Sequence, residues 1–229
     1  MYYSGSRRGN LYPQVFPPLI GRLKYSTSLL DPNGKSVLVI GDSYGWYAKF
    51  ALECGAKFVH SLDIAAPSPM LSRLFKSYSQ YHHTIESILD FRSTKKYDLA
   101  VFFEVIEHLP PQTEKFALQV IAKSLKSNGK LLLSTPVKSL LSYFSDPAIF
   151  LGHRHYSPKQ LTQLLNAAGF YQIDYTRGGF VYSALDLLCL YFVKWILRQP
   201  YLYFSPFVDK VNFEYPHPHG TTLFAICAK

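Results

Sequence analysis

Short apolar segments alternate with helical segments along much of the chain, and this alternation limits the folds open to it. The apolar segments are brief and rich in β-branched or leucine residues; they are SVLVI (36–40), KFVHSLD (57–63), YDLAVFFEV (97–105) and KLLLSTP (130–136). Helical patterns lie between them, as from about Thr113, where Phe116, Val120, Ile121 and Leu125 share one face. Strands that alternate with helices predict a parallel, doubly wound α/β sheet.

Another helix and two further strands follow. In SPKQLTQLLNAAGF (157–170), Ser157 can cap the helix, Pro158 suits its first turn and Gln160 completes a capping box. Gly169 ends the helix, since glycine tolerates the left-handed conformation there. The strands YQIDYT (171–176) and TTLFAICAK (221–229) are predicted at or near a sheet edge. We expect a single domain over 35–229, after an N-terminal segment, 1–34, that contains a short helix.

Composition bounds the class of protein. The 229 residues are 48% hydrophobic and 16% aromatic, which supplies a substantial core and argues against disorder. Three widely spaced cysteines indicate neither a disulfide framework nor a metal site, and no apolar secretory signal stands at the start, so a cytoplasmic protein is predicted. The net charge of +9 favours anionic partners, but the basic residues are scattered, so nucleic-acid binding is not expected.

The segment VLVIGDSYGWYA (37–48) combines a buried strand, a glycine-bearing turn and the start of a helix. Such a turn gathers unpaired backbone N–H groups and a helix N-terminus at one point, which suits ligand binding. Gly41 would let a ligand approach the backbone, and Gly45 would let helix and strand pack closely. Asp42 and Tyr44 disfavour a pyrophosphate and favour a cofactor with a cationic or zwitterionic group. A tight turn in an α/β core is the alternative interpretation.

Asp63 favours the cofactor interpretation. It ends the second predicted strand, 18 residues after Gly45, where an acidic side chain can accept hydrogen bonds from both hydroxyls of a ribose. The alternative is an aspartate that caps the following turn. A glycine turn and an acidic residue at this spacing together favour a ligand that contains adenosine.

Five segments in order carry a resemblance to a known family. They are SVLVIGDSYGWYA (36–48), VHSLDIA (59–65), YDLAVFFEVIEHLPP (97–111), LKSNGKLLLSTP (125–136) and GHRHYSPKQLTQLLNAAGF (152–170). They resemble class I S-adenosylmethionine-dependent methyltransferases, particularly the type-11 group that includes ubiquinone-biosynthesis O-methyltransferases. The resemblance covers about residues 35–175 and the last strand. Two positions depart from the family pattern: Val39 stands where an acidic residue is usual, and Ser43 replaces the middle glycine.

The resemblance implies a fold and a cofactor. The fold is a Rossmann-like, doubly wound sheet of seven strands, mostly parallel with the last strand antiparallel, and a helical insertion between the final two strands. The cofactor is S-adenosylmethionine, whose sulfonium methyl group passes to a nucleophile by in-line displacement. The implied cofactor-binding residues are Gly41, Asp42, Ser43 and Gly45 in the turn, Asp63 and Ile64 at the ribose and adenine, Glu86 or Ser87 at the adenine, and Phe103 beside the methyl group.

The resemblance also places candidate catalytic residues after the fourth strand. His108 is a candidate general base, since the ordinary pKa of histidine suits proton removal from a hydroxyl, and Glu104 borders the transferred methyl group. The alternative for His108 is a residue that caps the local turn or orients Glu104. His153, His155 and Tyr156 are predicted to contact the substrate. No third ligand accompanies the two histidines in the sequence, so no metal site is predicted.

The stretch YSALDLLCLYFVKWILRQPYLYF (182–204) departs most from the family pattern. It is apolar over a broad surface, and its charged residues Asp186 and Lys194 argue against a membrane-spanning helix. As part of an insertion over about 178–220, it is predicted to form a lid over an apolar substrate, with Trp195 in contact. A homodimer interface, a peripheral membrane contact and a helix packed on the sheet are the alternatives.

The sequence thus predicts an S-adenosylmethionine-dependent methyltransferase that acts on a small, hydrophobic acceptor, with O-methylation favoured. The alternative is a catalytically degenerate methyltransferase-like protein that serves as a binding or scaffold protein, which the departures at Val39 and Ser43 would suit. A nicotinamide-dependent oxidoreductase is disfavoured, because the phosphate-binding glycine pattern is missing.

Overall fold

The structure is a computed structural model. It describes residues 19–42, 44–198 and 205–229, with the backbone alone for 205–208. Ser43 of the predicted cofactor turn, residues 1–18 of the N-terminal segment and residues 199–204 of the insertion lie outside the described residues.

Seven strands of the described chain form one sheet. They are β1 (Ser36–Ile40), β2 (Phe58–Asp63), β3 (Tyr81–Ile85), β4 (Tyr97–Phe103), β5 (Leu125–Pro136), β6 (Tyr171–Gly178) and β7 (Thr222–Ala228). Their order is β3-β2-β1-β4-β5-β7-β6. β7 is antiparallel to both neighbours, and the other pairs are parallel. The predicted Rossmann-like, doubly wound sheet with an antiparallel last strand is confirmed.

Eight α-helices lie in the described residues. They are α1 (Arg22–Leu29), α2 (Trp46–Glu53), α3 (Pro69–Phe75), α4 (Glu114–Ser124), α5 (Leu140–Ser145), α6 (Pro158–Ala167), α7 (Val181–Tyr191) and α8 (Ser205–Phe213). Short 3-10 helices cover Ile106–His108 and Pro147–Leu151, and a π-helical stretch, Phe192–Ile196, continues α7. α2 and α3 pack on one face of the sheet, and α4 and α6 pack on the other.

The central strands are apolar throughout because helices cover both faces of the sheet. In β1, Val37 and Val39 point into the core under α2 and α3, whereas Leu38 and Ile40 point into the core under α4 and α6. All four side chains are buried. Burial of one such side chain contributes roughly 1.5–3 kcal/mol, so this strand holds both layers together at the point where the turn begins.

The ends of α6 follow the sequence prediction. The Gln160 backbone N–H donates to the Ser157 hydroxyl, and the Ser157 backbone N–H donates to the Gln160 side-chain oxygen, which completes the predicted capping box. Gly169 follows the helix with a φ of 94°, in the left-handed region.

The C-terminal end of α4 differs from the prediction. Leu125 was expected on the helix, but α4 ends at Ser124, and β5 begins at Leu125 with extended dihedrals. Leu125 pairs with Tyr97 of β4 and is buried. Pairing across the sheet therefore sets its conformation, and the helix ends one residue earlier. Phe116 also faces outward, 44% exposed, beside the Arg92 guanidinium. Val120 and Ile121 are buried as predicted, and Ala117 and Leu118 complete the buried side of α4.

The predicted helical insertion lies between β6 and β7 and contains α7 and α8. One carboxylate fixes the start of α7: the Glu214 oxygens accept hydrogen bonds from the backbone N–H groups of Phe180, Tyr182 and Ser183 at 2.7–2.8 Å. A negative charge is favourable there because the first N–H groups of a helix lack partners in the helix itself. Among the described helices, none has the length and apolarity that crossing a membrane requires.

Helix α1, at the end of the predicted N-terminal segment, packs against elements from the other end of the chain. The Tyr25 hydroxyl hydrogen-bonds to the Thr176 hydroxyl of β6 at 2.9 Å, and the Tyr25 ring lies 5.2 Å from the Phe224 ring of β7. The Gly21 N–H donates to the Asn212 side chain of α8 at 2.7 Å. These contacts join α1 to the β6–β7 side of the sheet and to the helical insertion.

We expect Gly41→Ala to destabilise the protein more than Gly34→Ala does. Both glycines have a positive φ, 72° and 67°, so each substitution costs about 1–2 kcal/mol in backbone strain. A Cβ at Gly41 would also lie 2.3 Å from the Val105 side chain, whereas one at Gly34 would meet nothing within 4 Å. Overpacking typically adds about 1–3 kcal/mol. Urea unfolding of both variants measures the difference.

The double variant Gly41→Ala/Val105→Ala is the control for this clash. It should unfold at a higher urea concentration than expected from the sum of the two single substitutions, because removal of the Val105 methyl groups frees the space. Equal destabilisation by Gly41→Ala and Gly34→Ala would show that Val105 does not set the requirement for glycine.

Candidate active site

The strand register gathers four segments at the carboxyl edge of the sheet. Ile40 of β1 pairs with Leu62 of β2 and with Phe102 of β4, and Asp63 pairs with Ile85 of β3. The turn after β1 therefore lies between Asp63 and the end of β4, at the position where the strand order reverses. Open α/β sheets bind ligands at such a reversal. The structure places the described candidate cofactor residues along this edge: Gly41, Asp42, Gly45, Asp63, Ile64, Glu86, Ser87 and Phe103.

Both turn glycines are required by local geometry. Gly41 and Gly45 have φ values of 72° and 68°. The space beside Gly41 is filled by Val105, and a Cβ on Gly45 would lie 2.7 Å from the Phe75 ring of α3. Glycine at position 41 was predicted because it would let a ligand approach the backbone. The structure adds a second reason, since the turn packs closely against the segment after β4.

Asp42 is a buried carboxyl group in this turn. It accepts a hydrogen bond from the Ser61 hydroxyl, while its Oδ1 atom forms none within the described residues. Burial raises the pKa of Asp42 to about 8, although the hydrogen bond from Ser61 favours the ionised form; the nearby charge of Asp63 raises the pKa further. Asp42 lines a small pocket together with Asp63 and Tyr81. An unsatisfied buried acceptor at this position suits a ligand that carries a positive charge or N–H donors.

Asp63 ends β2, as predicted, and one of its oxygens caps the next turn. Its Oδ1 atom accepts a hydrogen bond from the Ala65 N–H at 2.9 Å, so the turn-capping alternative is observed. The carboxylate is partly exposed at the edge, next to the Ile64 side chain, which is 70% exposed. The Glu86 N–H donates to the Asp63 carbonyl oxygen at 2.9 Å, and the Ser87 hydroxyl accepts from the Leu89 N–H. Glu86 and Ser87 both border the same edge.

Phe103, the last residue of β4, and Glu104, which follows the strand, lie in different environments. The Phe103 ring lies 5.5 Å from the Trp46 ring of α2 and packs against it. Glu104 has a φ of 52°, in the left-handed region, and one carboxylate oxygen accepts from the Ser134 hydroxyl at 2.7 Å. The other oxygen forms an ion pair with Arg22 of α1 at 2.6 Å. Sequence reasoning missed both partners: Arg22 lies outside the five family-like segments, and Ser134 lies within LKSNGKLLLSTP (125–136) but was given no role.

The three candidate histidines lie together, and two of them hydrogen-bond to a residue that sequence reasoning missed, Asp146. The His153 Nδ1 atom and the His155 Nε2 atom both hydrogen-bond to Asp146 Oδ2, the latter at 2.9 Å. The His153 Nε2 atom lies 3.3 Å from the His108 Nε2 atom. Asp146 precedes a proline and caps a short 3-10 helix, so its sequence context indicates only a turn.

Two buried acids in this cluster differ in how their charge is balanced. Burial alone would raise the pKa of Asp146, but hydrogen bonds from His153, His155 and Tyr191 hold it well below its usual range. Burial raises the pKa of Glu107 far above its usual range, and the charge of Glu104 adds to this effect. The Glu107 Oε1 atom has no hydrogen-bond partner within the described residues and lies 3.7 Å from His153 Nε2.

The clustering corrects one sequence inference, that no third ligand accompanies His153 and His155. Two sets of three groups have donor atoms within 4.8 Å of one another: Glu107, His108 and His153, and Asp146, His153 and His155. Imidazole and carboxylate are donor types that bind divalent metals. In the second set, however, both imidazoles already donate to the carboxylate. The absence of a metal stays a prediction.

A pocket of about 600 Å³ opens beside the cluster, within the size range of sites for small molecules. The predicted substrate residues His153, His155 and Tyr156 line it, together with Glu114, Tyr143, Ile149, Arg154, Gln160, Gln163 and Leu164. Tyr156 is buried, and its hydroxyl approaches the Ile106 carbonyl and Glu114. Trp195 does not line this pocket; its ring lies 4.6 Å from that of Tyr191, whose hydroxyl donates to Asp146.

A family model described as "Methyltransferase domain" matches residues 17–174. No curated protein sequence matches the chain.

Similar solved structures share the fold. The 1,6-didemethyltoxoflavin-N1-methyltransferase of Burkholderia thailandensis, with 1,6-didemethyltoxoflavin and S-adenosylhomocysteine bound, has a TM-score of 0.61 and 16% identity over 89% of this chain and 76% of its own. The N-methyltransferase NodS of Bradyrhizobium japonicum WM9, in complex with S-adenosylhomocysteine, has a TM-score of 0.58 and 16% identity over 90% and 83%. The [4+2]-cyclase SpnF has a TM-score of 0.61 and 15% identity over 86% and 75%.

The family match includes β1 to β4, the strands whose ends form the candidate cofactor site, and it extends over more than half of the chain. The likeness to solved structures agrees with it at the level of the fold. The chain therefore belongs to the methyltransferase-domain family, as the resemblance to class I S-adenosylmethionine-dependent methyltransferases predicts.

Proposed function

We propose that the protein transfers a methyl group from S-adenosylmethionine to a small, largely apolar acceptor, with oxygen as the favoured methyl-accepting atom. The observation that carries this proposal is the meeting of the Gly41–Gly45 turn, Asp63 and Glu104 at one sheet edge of a methyltransferase-domain chain. Two structural neighbours are methyltransferases with S-adenosylhomocysteine bound, and one of them also holds a small molecule, which supports this class of cofactor and acceptor.

The residues at the edge fit this cofactor. Asp42 offers an unsatisfied buried oxygen for the cationic end, Asp63 offers a partly exposed carboxylate for the ribose hydroxyls, and Ile64 offers an exposed apolar surface for an adenine. Glu86 and Ser87 border the same position. When bound, the cofactor supplies an electrophilic methyl group, so the protein contributes alignment, exclusion of water and removal of a proton.

The acceptor would bind in the pocket beside the histidine cluster. Its walls combine apolar surface from Tyr143, Ile149 and Leu164 with the amides of Gln160 and Gln163, which suits a small molecule with a few polar groups. His153 lines this pocket, and its Nε2 atom lies 3.3 Å from the Nε2 atom of His108. An imidazole at this position can accept the proton of a hydroxyl.

The choice of oxygen rests on the resemblance to the type-11 group. The Glu-x-x-Glu-His-Leu run of that group is intact in this chain, from Glu104 to Leu109. The two neighbours described above are N-methyltransferases, so an assay should offer both hydroxyl and amine acceptors. The catalytically degenerate alternative rests on Val39, which is a core residue here, on Ser43, which lies outside the described residues, and on the open choice between Glu86 and Ser87 at the adenine. Cofactor binding decides between the two.

Peripheral membrane contact, a homodimer and a cytoplasmic location stay predictions. Exposed apolar side chains on two helices in contact, α5 and α7, and on the segments that follow them support a surface that associates with an apolar partner. These side chains are Leu140, Phe144, Phe150, Leu151, Leu185, Leu188, Phe192 and Ile196.

We expect the purified protein to bind S-adenosylhomocysteine with micromolar affinity, and Asp63→Ala to weaken binding ~100-fold. Loss of charge-assisted hydrogen bonds to two ribose hydroxyls has about this effect. Isothermal titration calorimetry measures both affinities. Asp174→Ala, at an exposed position on the edge strand β6, is the matched control and should bind as the wild type does.

Two results would count against the proposal. If the wild type shows no heat of binding at high protein concentration, the degenerate alternative is favoured. If Asp63→Ala binds as tightly as the wild type, Asp63 acts only as the turn cap that its hydrogen bond to Ala65 describes.

We expect binding of S-adenosylmethionine to release a proton from Asp42 near neutral pH. The pKa of this carboxyl is raised to about 8 in the free protein, so it is protonated at pH 7. A bound cation favours the ionised form. Affinity should therefore increase as the pH rises and level off above about 8. Calorimetry at pH 7 in two buffers of different ionisation enthalpy counts the protons, about one for the wild type and none for Asp42→Asn. Equal counts for both proteins would exclude Asp42 as the source.

A further inference from the structure

Asp146 is the centre of a saturated hydrogen-bond network on the acceptor side of the site. Its side chain is almost fully buried in the loop after α5. Oδ2 accepts from His153 and His155. Oδ1 accepts from the Tyr191 hydroxyl at 3.0 Å and from the Ala148 backbone N–H at 3.1 Å. Four donors on one carboxylate explain why its pKa lies well below the usual range despite burial.

An ionised carboxylate can only accept hydrogen bonds, so it dictates which nitrogen of each imidazole carries a proton. His153 faces Asp146 with Nδ1, which must therefore carry the hydrogen. In a neutral ring, its Nε2 atom then has the lone pair. His155 faces Asp146 with Nε2, and its Nδ1 atom lies 3.2 Å from the Ser142 hydroxyl. The same carboxylate thus holds the two histidines in opposite tautomers.

The two histidines differ in what their second nitrogen meets. Both nitrogens of His155 have a partner within the protein, and its side chain is fully buried, so this residue supports the loop. The Nε2 atom of His153 points toward His108 and toward the unsatisfied oxygen of Glu107. His153 also lines the pocket of about 600 Å³ and keeps about 10% of its side chain exposed.

We propose that Asp146 is a positioning residue that fixes His153 as the Nδ1–H tautomer, so that His153 Nε2 is the atom that accepts the proton of the acceptor. The role of His153 Nε2 as the acceptor of this proton rests on the proposed methyl transfer. In that step the acceptor oxygen loses its proton to Nε2 while it forms a bond to the methyl carbon, and the electron pair of the broken carbon–sulfur bond stays on sulfur. His108, at the exposed side, lies within reach to pass the proton to water.

The substitution Asp146→Asn gives a sharp expectation. Tyr191 and Ala148 both donate to Oδ1, so the amide oxygen of an asparagine remains on their side and its NH₂ group faces the histidines. His153 Nδ1 must then accept a hydrogen bond, and its proton moves to Nε2. We expect the tautomer to invert while the shape of the side chain is nearly unchanged.

The test uses the full chain without any ligand. Long-range ¹H–¹⁵N correlation spectra at neutral pH distinguish a protonated from an unprotonated ring nitrogen, and His153→Gln identifies the signals by their loss. The wild type should show His153 with a protonated Nδ1 and an unprotonated Nε2, and Asp146→Asn should show the reverse. Tyr191→Phe keeps the carboxylate and should keep the wild-type tautomer.

Either of two results would overturn the proposal: a wild-type His153 protonated on Nε2, or an unchanged tautomer in a folded Asp146→Asn protein. If Asp146→Asn does not fold, the tautomer in the wild-type spectrum alone tests the proposal. Titration with S-adenosylhomocysteine is run alongside, and Asp146→Asn should bind as the wild type does. A wild type that shows the expected tautomer but binds no S-adenosylhomocysteine would refute methyl transfer, and with it the use of the proton, and leave the positioning by Asp146 intact.

Discussion

The backbone hydrogen bonds on the two sides of β1 hold the site together. β1 pairs with β2 on one side and β4 on the other, both in parallel and without a register shift. Residues far apart in the chain, such as Asp63 and Phe103, thereby end on the same level as the turn that begins at Gly41. A slip of one residue in either ladder would turn every side chain of that strand to the opposite face. Because both faces of β1 are buried, the core resists such a slip and so protects the geometry of the edge.

Buried acidic residues lie at this edge, and they differ in their hydrogen bonds and in their charge. Asp146 is surrounded by donors and keeps its charge. Asp42 and Glu107 each leave one oxygen without a partner within the described residues, and burial shifts both toward the neutral form. Burial of an unpaired polar group costs free energy. A ligand that hydrogen-bonds to the unsatisfied oxygen of Asp42 or Glu107 would therefore stabilise the folded protein.

The sequence predicts the parts of the fold that depend on local pattern. The run SVLVI and the capping box at Ser157 need only neighbours in the chain, and both were predicted. Leu125 was misplaced because pairing with Tyr97, an interaction across the sheet, overrides helix periodicity. The candidate site divides in the same way. Motif residues lie at the expected edge, whereas Arg22 and Asp146 reach it from α1 and from a loop, and no spacing in the sequence indicates that tertiary contact.

The packing of α1 links one acidic residue of the site to distant parts of the chain. This helix precedes β1 in the sequence, yet Gly21 and Tyr25 contact α8, β6 and β7. Arg22, between these two residues, forms the ion pair with Glu104 after β4. The charge balance at Glu104 therefore depends on the packing of β6, β7 and α8 against α1. A substitution that loosens those contacts would change the electrostatics of the site without touching any of its residues.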